Sequence, residues 1–215
     1  KTRDMSDMFN GSNFNRDIGL WNVSKVTNMQ SMFKNSPFNN QNFDNISTRI
    51  IPANGEKLSY TAWDVSNVTN MSYMFYNSHF NKSINSWNVS KVVNMDSMFS
   101  DGRFNKDISS WDVSNVTNMN YMFDDAIYFN RDISSWNISK VVSMNRIFDD
   151  TPELNSCYKK RIYDSWKVTQ NSSSWWSSYS WNSFSCVSCS CNNGQSAGDK
   201  CTSTGENKCS SCNAG

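Results

Sequence analysis

Histidine occurs once in the 215 residues, at His79; proline occurs three times and glycine eight times. A single imidazole, at a position that varies between repeats, leaves no partner for the usual histidine-based metal or nucleophile arrangements. The few glycines form neither a phosphate-cradling loop nor a dinucleotide fingerprint. Neither sign of charge dominates: 20 Lys and Arg against 19 Asp and Glu give a net +1. That balance excludes a nucleic-acid binder driven by a broad basic field, and equally an acidic tail protein. No run approaches the ~20 apolar residues that cross a bilayer. Hydrophobic residues are sparse at 37%, yet aromatics reach 14%, and disordered chains are poor in aromatics. A folded, non-catalytic protein is expected, with no catalytic residue, no metal and no cofactor. The chain opens without Met, at Lys1-Thr2-Arg3-Asp4-Met5, which falls inside a repeat and reads as a processed or partial chain.

What is abundant is Asn and Ser, together roughly a third of the residues, and they recur in register. Aligning Trp21, Trp63, Trp87, Trp111 and Trp136 gives steps of 42, 24, 24 and 25. Met-x-x-Met-Phe recurs at Met5, Met29, Met71, Met95 and Met119, and decays at Met144. Phe-Asn recurs at Phe14, Phe38, Phe80, Phe104 and Phe129, weakening to Leu154-Asn155. About six units of 24–25 residues are visible. One unit carries too few large apolar side chains to close a core alone, so neighbours must share one. Ile108–Val113 reads as a short strand and Val116–Phe123, apolar at i, i+3, i+6 and i+7, as a short helix or turn. The expected fold is a repeat solenoid with one short parallel strand and one short helix or turn per coil, and the tryptophan column inside. Two Asx columns, Asn28/Asn70/Asn94/Asn118 and Asn22/Asp64/Asn88/Asp112/Asn137, are read as structural, bonding turn backbone.

The words WDVSNVTNMSYMF (Trp63–Phe75) and FNKDISSWDVS (Phe104–Ser114) resemble the BspA-like leucine-rich-repeat surface proteins, the DUF285 repeat. The resemblance covers about residues 1–155. It implies a leucine-rich-repeat-like solenoid on secreted or surface-anchored proteins whose assigned roles are adhesion and protein interaction. It supplies no catalytic residues.

Three segments depart from the repeat. The 42-residue step holds an insertion at about 44–62, with Asn54-Gly55 as a two-residue hairpin turn. It is a tolerated surface hairpin or a contact element, with Arg49, Ile50, Ile51 and Tyr60 as contact candidates. Residues 158–185 begin with Lys159-Lys160-Arg161, read as a solvated face. They end in a Trp- and Ser-rich stretch, either a cap over the last coil or an aromatic contact patch. Its candidates are Trp175, Trp176, Tyr179 and Trp181. The acidic pairs Asp124-Asp125 and Asp149-Asp150 read as solvated loops rather than Ca²⁺ ligands.

Residues 186–215 hold Cys186, Cys189, Cys191, Cys201, Cys209 and Cys212 among Ser, Asn, Gly and Lys. Such a segment needs staples. Three disulfides in an oxidising compartment are favoured over a four-Cys zinc site at Cys186/Cys189/Cys209/Cys212. The run from Cys189 also resembles EGF-like cysteine-rich repeats. Cys157 is the odd cysteine, either buried and free or paired outside that set. Sequons are frequent, and Asn45, Asn171, Asn10 and Asn81 are the glycosylation candidates.

These readings divide the chain into a solenoid at 1–157, a cap or linker at 158–185 and a cysteine-rich module at 186–215. The expected role is a structural or adhesive protein of an extracellular or surface assembly on a cell, filament or virion. Its partners are other proteins of that assembly, with no nucleic acid and no direct membrane span. The alternative is a carbohydrate-binding module that takes glycans on the C-terminal aromatic patch.

Overall fold

The computed structural model describes residues 2–39, 48–53, 56–61, 63–169 and 179–184. The repeats lie one upon the next, joined by parallel single-residue bridges: Asp4 to Asn28, Asn28 to Asn70, Asn70 to Asn94, Asn94 to Asn118, and Asn118 to Ser143. After each bridge comes a hook of alternating hydrogen bonds. In the hook 119–125, the N–H groups of Met119, Tyr121, Phe123 and Asp125 donate to Ser143, Asn145, Ile147 and Asp149 of the next repeat at 2.8–3.0 Å. The intervening Met122 and Asp124 donate inside the hook, to the carbonyls of Met119 and Tyr121. Hooks 71–77 and 95–101 repeat the pattern.

This alternation is why, of the short helix or turn expected over Val116–Phe123, turns form and a helix does not. A helix would turn every N–H back along its own chain. Here alternate donors leave for the neighbouring repeat, and Tyr121 and Asp125 take positive φ of 54° and 53°. The same two hook positions are left-handed in the other copies, for example Ser31 and Asn35, or Ser97 and Asp101. The strand expected over Ile108–Val113 is likewise replaced by turns, Trp111 N–H to Ile108 and Val116 N–H to Val113. The cause is local: Asp107 and Asp112 accept the N–H groups of Ser109 and Ser114, and each bond bends the chain. Among the described repeats, extended pairing is reduced to the single bridging residue.

Both Asx columns bond backbone. Asn28, Asn70, Asn94 and Asn118 accept the N–H two residues on, and the column after Trp does the same at Ser24, Ser66, Ser90, Ser114 and Ser139. A third column runs through the Phe-Asn words. Asn15, Asn39, Asn81, Asn105 and Asn130 each accept, on the side-chain oxygen, the backbone N–H of the equivalent Asn one repeat later.

The core is a set of aromatic columns. Phe9, Phe33, Phe75, Phe99, Phe123 and Phe148 stack at centroid distances of 5.6–5.9 Å. A second phenylalanine joins each of the first five at 4.0–4.1 Å within its repeat. Trp63, Trp87, Trp111 and Trp136 are 2–3% exposed. The indole N–H of Trp63, Trp111 and Trp136 donates to a carbonyl of an earlier repeat, at Ile18, Ile84 and Ile108. Each of these tryptophans therefore contributes apolar area and satisfies a backbone acceptor.

The insertion forms an antiparallel hairpin of β1 (Thr48–Ala53) and β2 (Glu56–Thr61). Its register pairs Ala53 with Glu56 and Arg49 with Tyr60, leaving two residues for the turn, as Asn54-Gly55 predicts.

The far end of the stack is closed by α1 (Ser156–Thr169). Asn155 donates its backbone N–H to Asn130 Oδ1 in the last ladder bond and then caps α1, its side-chain oxygen receiving the Tyr158 N–H at 2.9 Å. Buried Trp166 of α1 continues the tryptophan column, 6.4 Å from Trp136. Trp181 packs on Phe148 at 5.2 Å. Tyr179 does what a further repeat would do for the hook: its hydroxyl accepts the Phe148 N–H at 3.2 Å while donating to Asp149 at 2.8 Å. The basic run keeps a solvated side, with Arg161 exposed, and its charges are partnered: Lys159 lies over the Trp181 ring, Lys160 pairs with Asp164, and Arg161 pairs with Asp132. Cys157 is disulfide-bonded and is not a free thiol.

Beside this cap Asp124 is partly buried. Arg146 Nη2 lies 3.3 Å from its Oδ1, an ionic contact outside hydrogen-bond geometry, so that oxygen has no hydrogen-bond partner. Burial raises the Asp124 carboxyl to about 6; Arg146 opposes the rise, and crowding by Asp125, Asp149 and Asp101 adds to it.

Two outcomes are expected. Trp111→Ala should cost about 3–5 kcal/mol in urea unfolding, because it leaves a cavity in the column and removes the partner of the Ile84 carbonyl. Asp124 is held above its unfolded value, so its stabilising contribution is complete at acidic pH and is lost as pH rises through about 6. Asp124→Asn should therefore gain in melting temperature relative to the parent between pH 4 and pH 7.5. A pH-independent difference between the two would contradict the assignment.

Candidate interaction surface

The residues that recur are turned to the core or to backbone, so the surface chemistry lies in the positions that differ between copies. The first strip runs along the hooks. Its left-handed position holds Asp7, Ser31, Tyr73, Ser97, Tyr121 and Arg146, and the position three later holds Asn10, Lys34, Tyr76, Ser100, Asp124 and Asp149. Lys34 Nζ sits 4.7 Å from the Tyr73 ring centroid and 5.1 Å from that of Tyr76. Arg146 covers Tyr121 at 5.7 Å. A hydrogen bond to Asp101 is the largest cause raising the Tyr76 phenol above its ordinary range. The strip presents cations over aromatic faces on a backbone fixed by the ladder.

A second feature lies at the end of the hooks, across three repeats. Two columns of the repeat line a groove: Asn77, Asp101 and Asp125 and, two or three residues on, His79, Arg103 and Tyr128. Ser78 and Gly102, both buried, lie between them. A Cβ at Gly102 would come within 2.9 Å of the Phe99 carbonyl oxygen, so the floor there carries no side chain. The groove has a volume of about 410 Å³. Ile127 and Tyr128, in the one-residue-longer repeat, stand 47% and 48% exposed at its end.

The sequence-derived candidates fall in several places. Arg49, Ile50 and Ile51 are on β1 and Tyr60 on β2. Asn10 is exposed, its amide donating to Asp7. Asn81 is half-buried and belongs to the Phe-Asn ladder, which makes it a poor glycan acceptor. Trp181 is buried in the cap, and Tyr179 is held by Phe148 and Asp149. Those two residues therefore do not form a free aromatic patch; their rings cover the open end of the stack. Asn45, Asn171, Trp175, Trp176 and the six cysteines Cys186, Cys189, Cys191, Cys201, Cys209 and Cys212 lie outside the described residues. Among the described residues no three His, Cys, Asp or Glu side chains converge as a metal site, the Asp124-Asp125 and Asp149-Asp150 pairs included. No helix among them is long and apolar enough to cross a membrane.

Sequence reasoning missed the groove and the tyrosine strip. The signal that marks them is variation: copies disagree in these columns, and each column of the strip adjoins a recurrent Met or Phe column.

No curated protein and no solved structure matches the chain. A family profile does, in two overlapping pieces, residues 1–55 and 49–166, which meet in the hairpin insertion. Those pieces take in the repeats and most of α1. The chain belongs to the DUF285 family, described as Mycoplasma protein of unknown function.

Proposed function

We propose that this chain is a non-catalytic structural or adhesive interaction protein of an extracellular or surface assembly. In this reading residues 1–157 are a BspA-like, leucine-rich-repeat-like solenoid, 158–185 its cap, and 186–215 a secreted, disulfide-stapled EGF-like module. The observation that carries the reading is the division of labour among polar residues. The Asx columns that recur are engaged with backbone in every described copy (for instance Asn94 with Asp96 and Asn105 with Asn130). The residues that vary form two cation–aromatic clusters along the hooks, Lys34 with Tyr73 and Tyr76, and Arg146 with Tyr121. Tyr and Arg are the residue types enriched at the centres of protein interfaces, and a stack of repeats is a usual scaffold for an extended recognition surface. The carbohydrate-binding alternative at the C-terminal aromatic patch is weaker, since the cap takes up Tyr179 and Trp181.

Cross-linking on the intact native surface, followed by mass spectrometry, tests the proposal. Lysines of the repeats, Lys34 among them, are expected to cross-link to other proteins, and Tyr73→Ala/Tyr121→Ala to reduce those links several-fold without lowering the melting temperature by more than a few degrees. Cross-links confined to the chain itself, with sedimentation as a free monomer, would sink the reading.

A further inference from the structure

The geometry of the groove at the ends of the hooks points to a glycan-binding site. We propose that Asn77, Asp101 and Asp125 of one column, with His79, Arg103 and the Tyr128 ring of the other, hold a saccharide chain. The proposal goes beyond the assembly reading and does not depend on it.

The first support is the pairing of chemistries. Among the described residues Arg103 makes no ion pair, although two carboxylates, Asp101 and Asp125, line the same groove. The Asp125 carboxylate accepts no side-chain hydrogen bond from a described residue; Asp101 accepts from Ser100 and from the Tyr76 phenol, which leaves it part of its acceptor capacity. Donors and acceptors thus share the groove lining in separate repeat columns without an ion pair between them. A purely cationic guest would use the acceptors and meet Arg103. An anion would use Arg103 and meet two carboxylates. A sugar hydroxyl both donates and accepts, so a polyol is the guest that uses both columns at once.

The second support is apolar. A pyranose has a C–H face as well as hydroxyls, and exposed aromatic rings next to polar groups suit such amphipathic guests. Tyr128 is 48% exposed, beside Ile127 at 47%. The extra residue of this repeat places both at the groove end; Ile127 N–H turns back to the Asp125 carbonyl at 2.9 Å. The third support is size and rigidity. A volume of about 410 Å³ falls within the ~300–1,000 Å³ of small-molecule sites. The columns are pinned at their bases: Asp101 and Asp125 donate their N–H groups to Asp124 and Asp149, and Arg103 donates to Ser78. A site built on paired backbone needs little ordering when a guest arrives.

A glycan array probed with the full chain, then titration with the strongest retained oligosaccharide, tests this. Binding is expected, and Tyr128→Ala and Arg103→Ala should each weaken it at least tenfold with an unchanged melting temperature, since both side chains are exposed. Asp101→Asn is the companion variant: Asn suits the positive φ of 55° there, so a loss of affinity in it reports the lost charge and not unfolding. Lys34→Ala, on the neighbouring strip, should bind as the parent does. An array with no retained glycan, binding that survives both groove variants, or retention of polylysine in place of any glycan would overturn the proposal. The native-surface cross-links are read separately, with these same groove variants, so loss of the glycan site and loss of the assembly are distinguishable.

Discussion

The constraint on which the rest depends is that every second N–H in the Met-x-x-Met-Phe hook must find its acceptor in the next repeat. A buried backbone donor without a partner is costly, and the hook cannot satisfy its donors alone. Met119, Tyr121, Phe123 and Asp125 are satisfied because the equivalent segment 143–149 lies alongside. Once that registry is set, the aromatic columns follow, since residues one period apart are superposed. Phe99 meets Phe123, and Trp111 meets Trp136. The hydrophobic core is therefore a product of the ladder as much as its cause, and neither forms within one repeat.

Much of this was legible in the sequence, and the limits were physical. The period, the buried tryptophans, the structural role of the Asx columns and the two-residue turn of β1–β2 all follow from spacing and residue type. The local backbone did not. The i, i+3, i+6, i+7 pattern of Val116–Phe123 belongs equally to a helix and to a hook whose donors alternate, and only the neighbouring repeat decides between them. Left-handed φ at Tyr121 or Arg146 is unreadable from residue type, because neither is a residue that favours it. The third Asn column was visible as a word, Phe-Asn. Its function was hidden because its partner is 24–25 residues away. In the candidate surface, the buried positions of Tyr179 and Trp181 depend on the open end of the stack, which a linear reading cannot place.

The insertion and the cap show how the array tolerates departures. The 42-residue step leaves the ladder intact, with Asn28 still bridging Asn70 and Thr69 still bonded to Thr27. Extra chain leaves and re-enters at a point where the ladder makes no demand. The cap replaces a repeat with groups from other elements: the Trp166 indole of a helix continues the tryptophan column, and the Tyr179 phenol stands in for a carbonyl. Asn155 joins the two systems, since the residue that ends the ladder also starts α1.

The one-way direction of the hook bonds has an electrostatic consequence. In each hook the four outgoing N–H groups point towards the C-terminal end of the stack and the receiving carbonyls point back. Peptide dipoles aligned in this way add, as they do along an α-helix, here across separate chain segments. This edge therefore gathers partial positive charge towards Phe148. The side chains along it change in the matching sense. Reading from the first repeat, one position runs Asn10, Lys34, Tyr76, Ser100, Asp124, Asp149, and the next runs Gly11, Asn35, Asn77, Asp101, Asp125, Asp150. At these two positions carboxylates collect towards the positive end of that field, although burial and mutual crowding still raise Asp124 and Asp125 above their ordinary values, and the left-handed position sets Arg146 beside them.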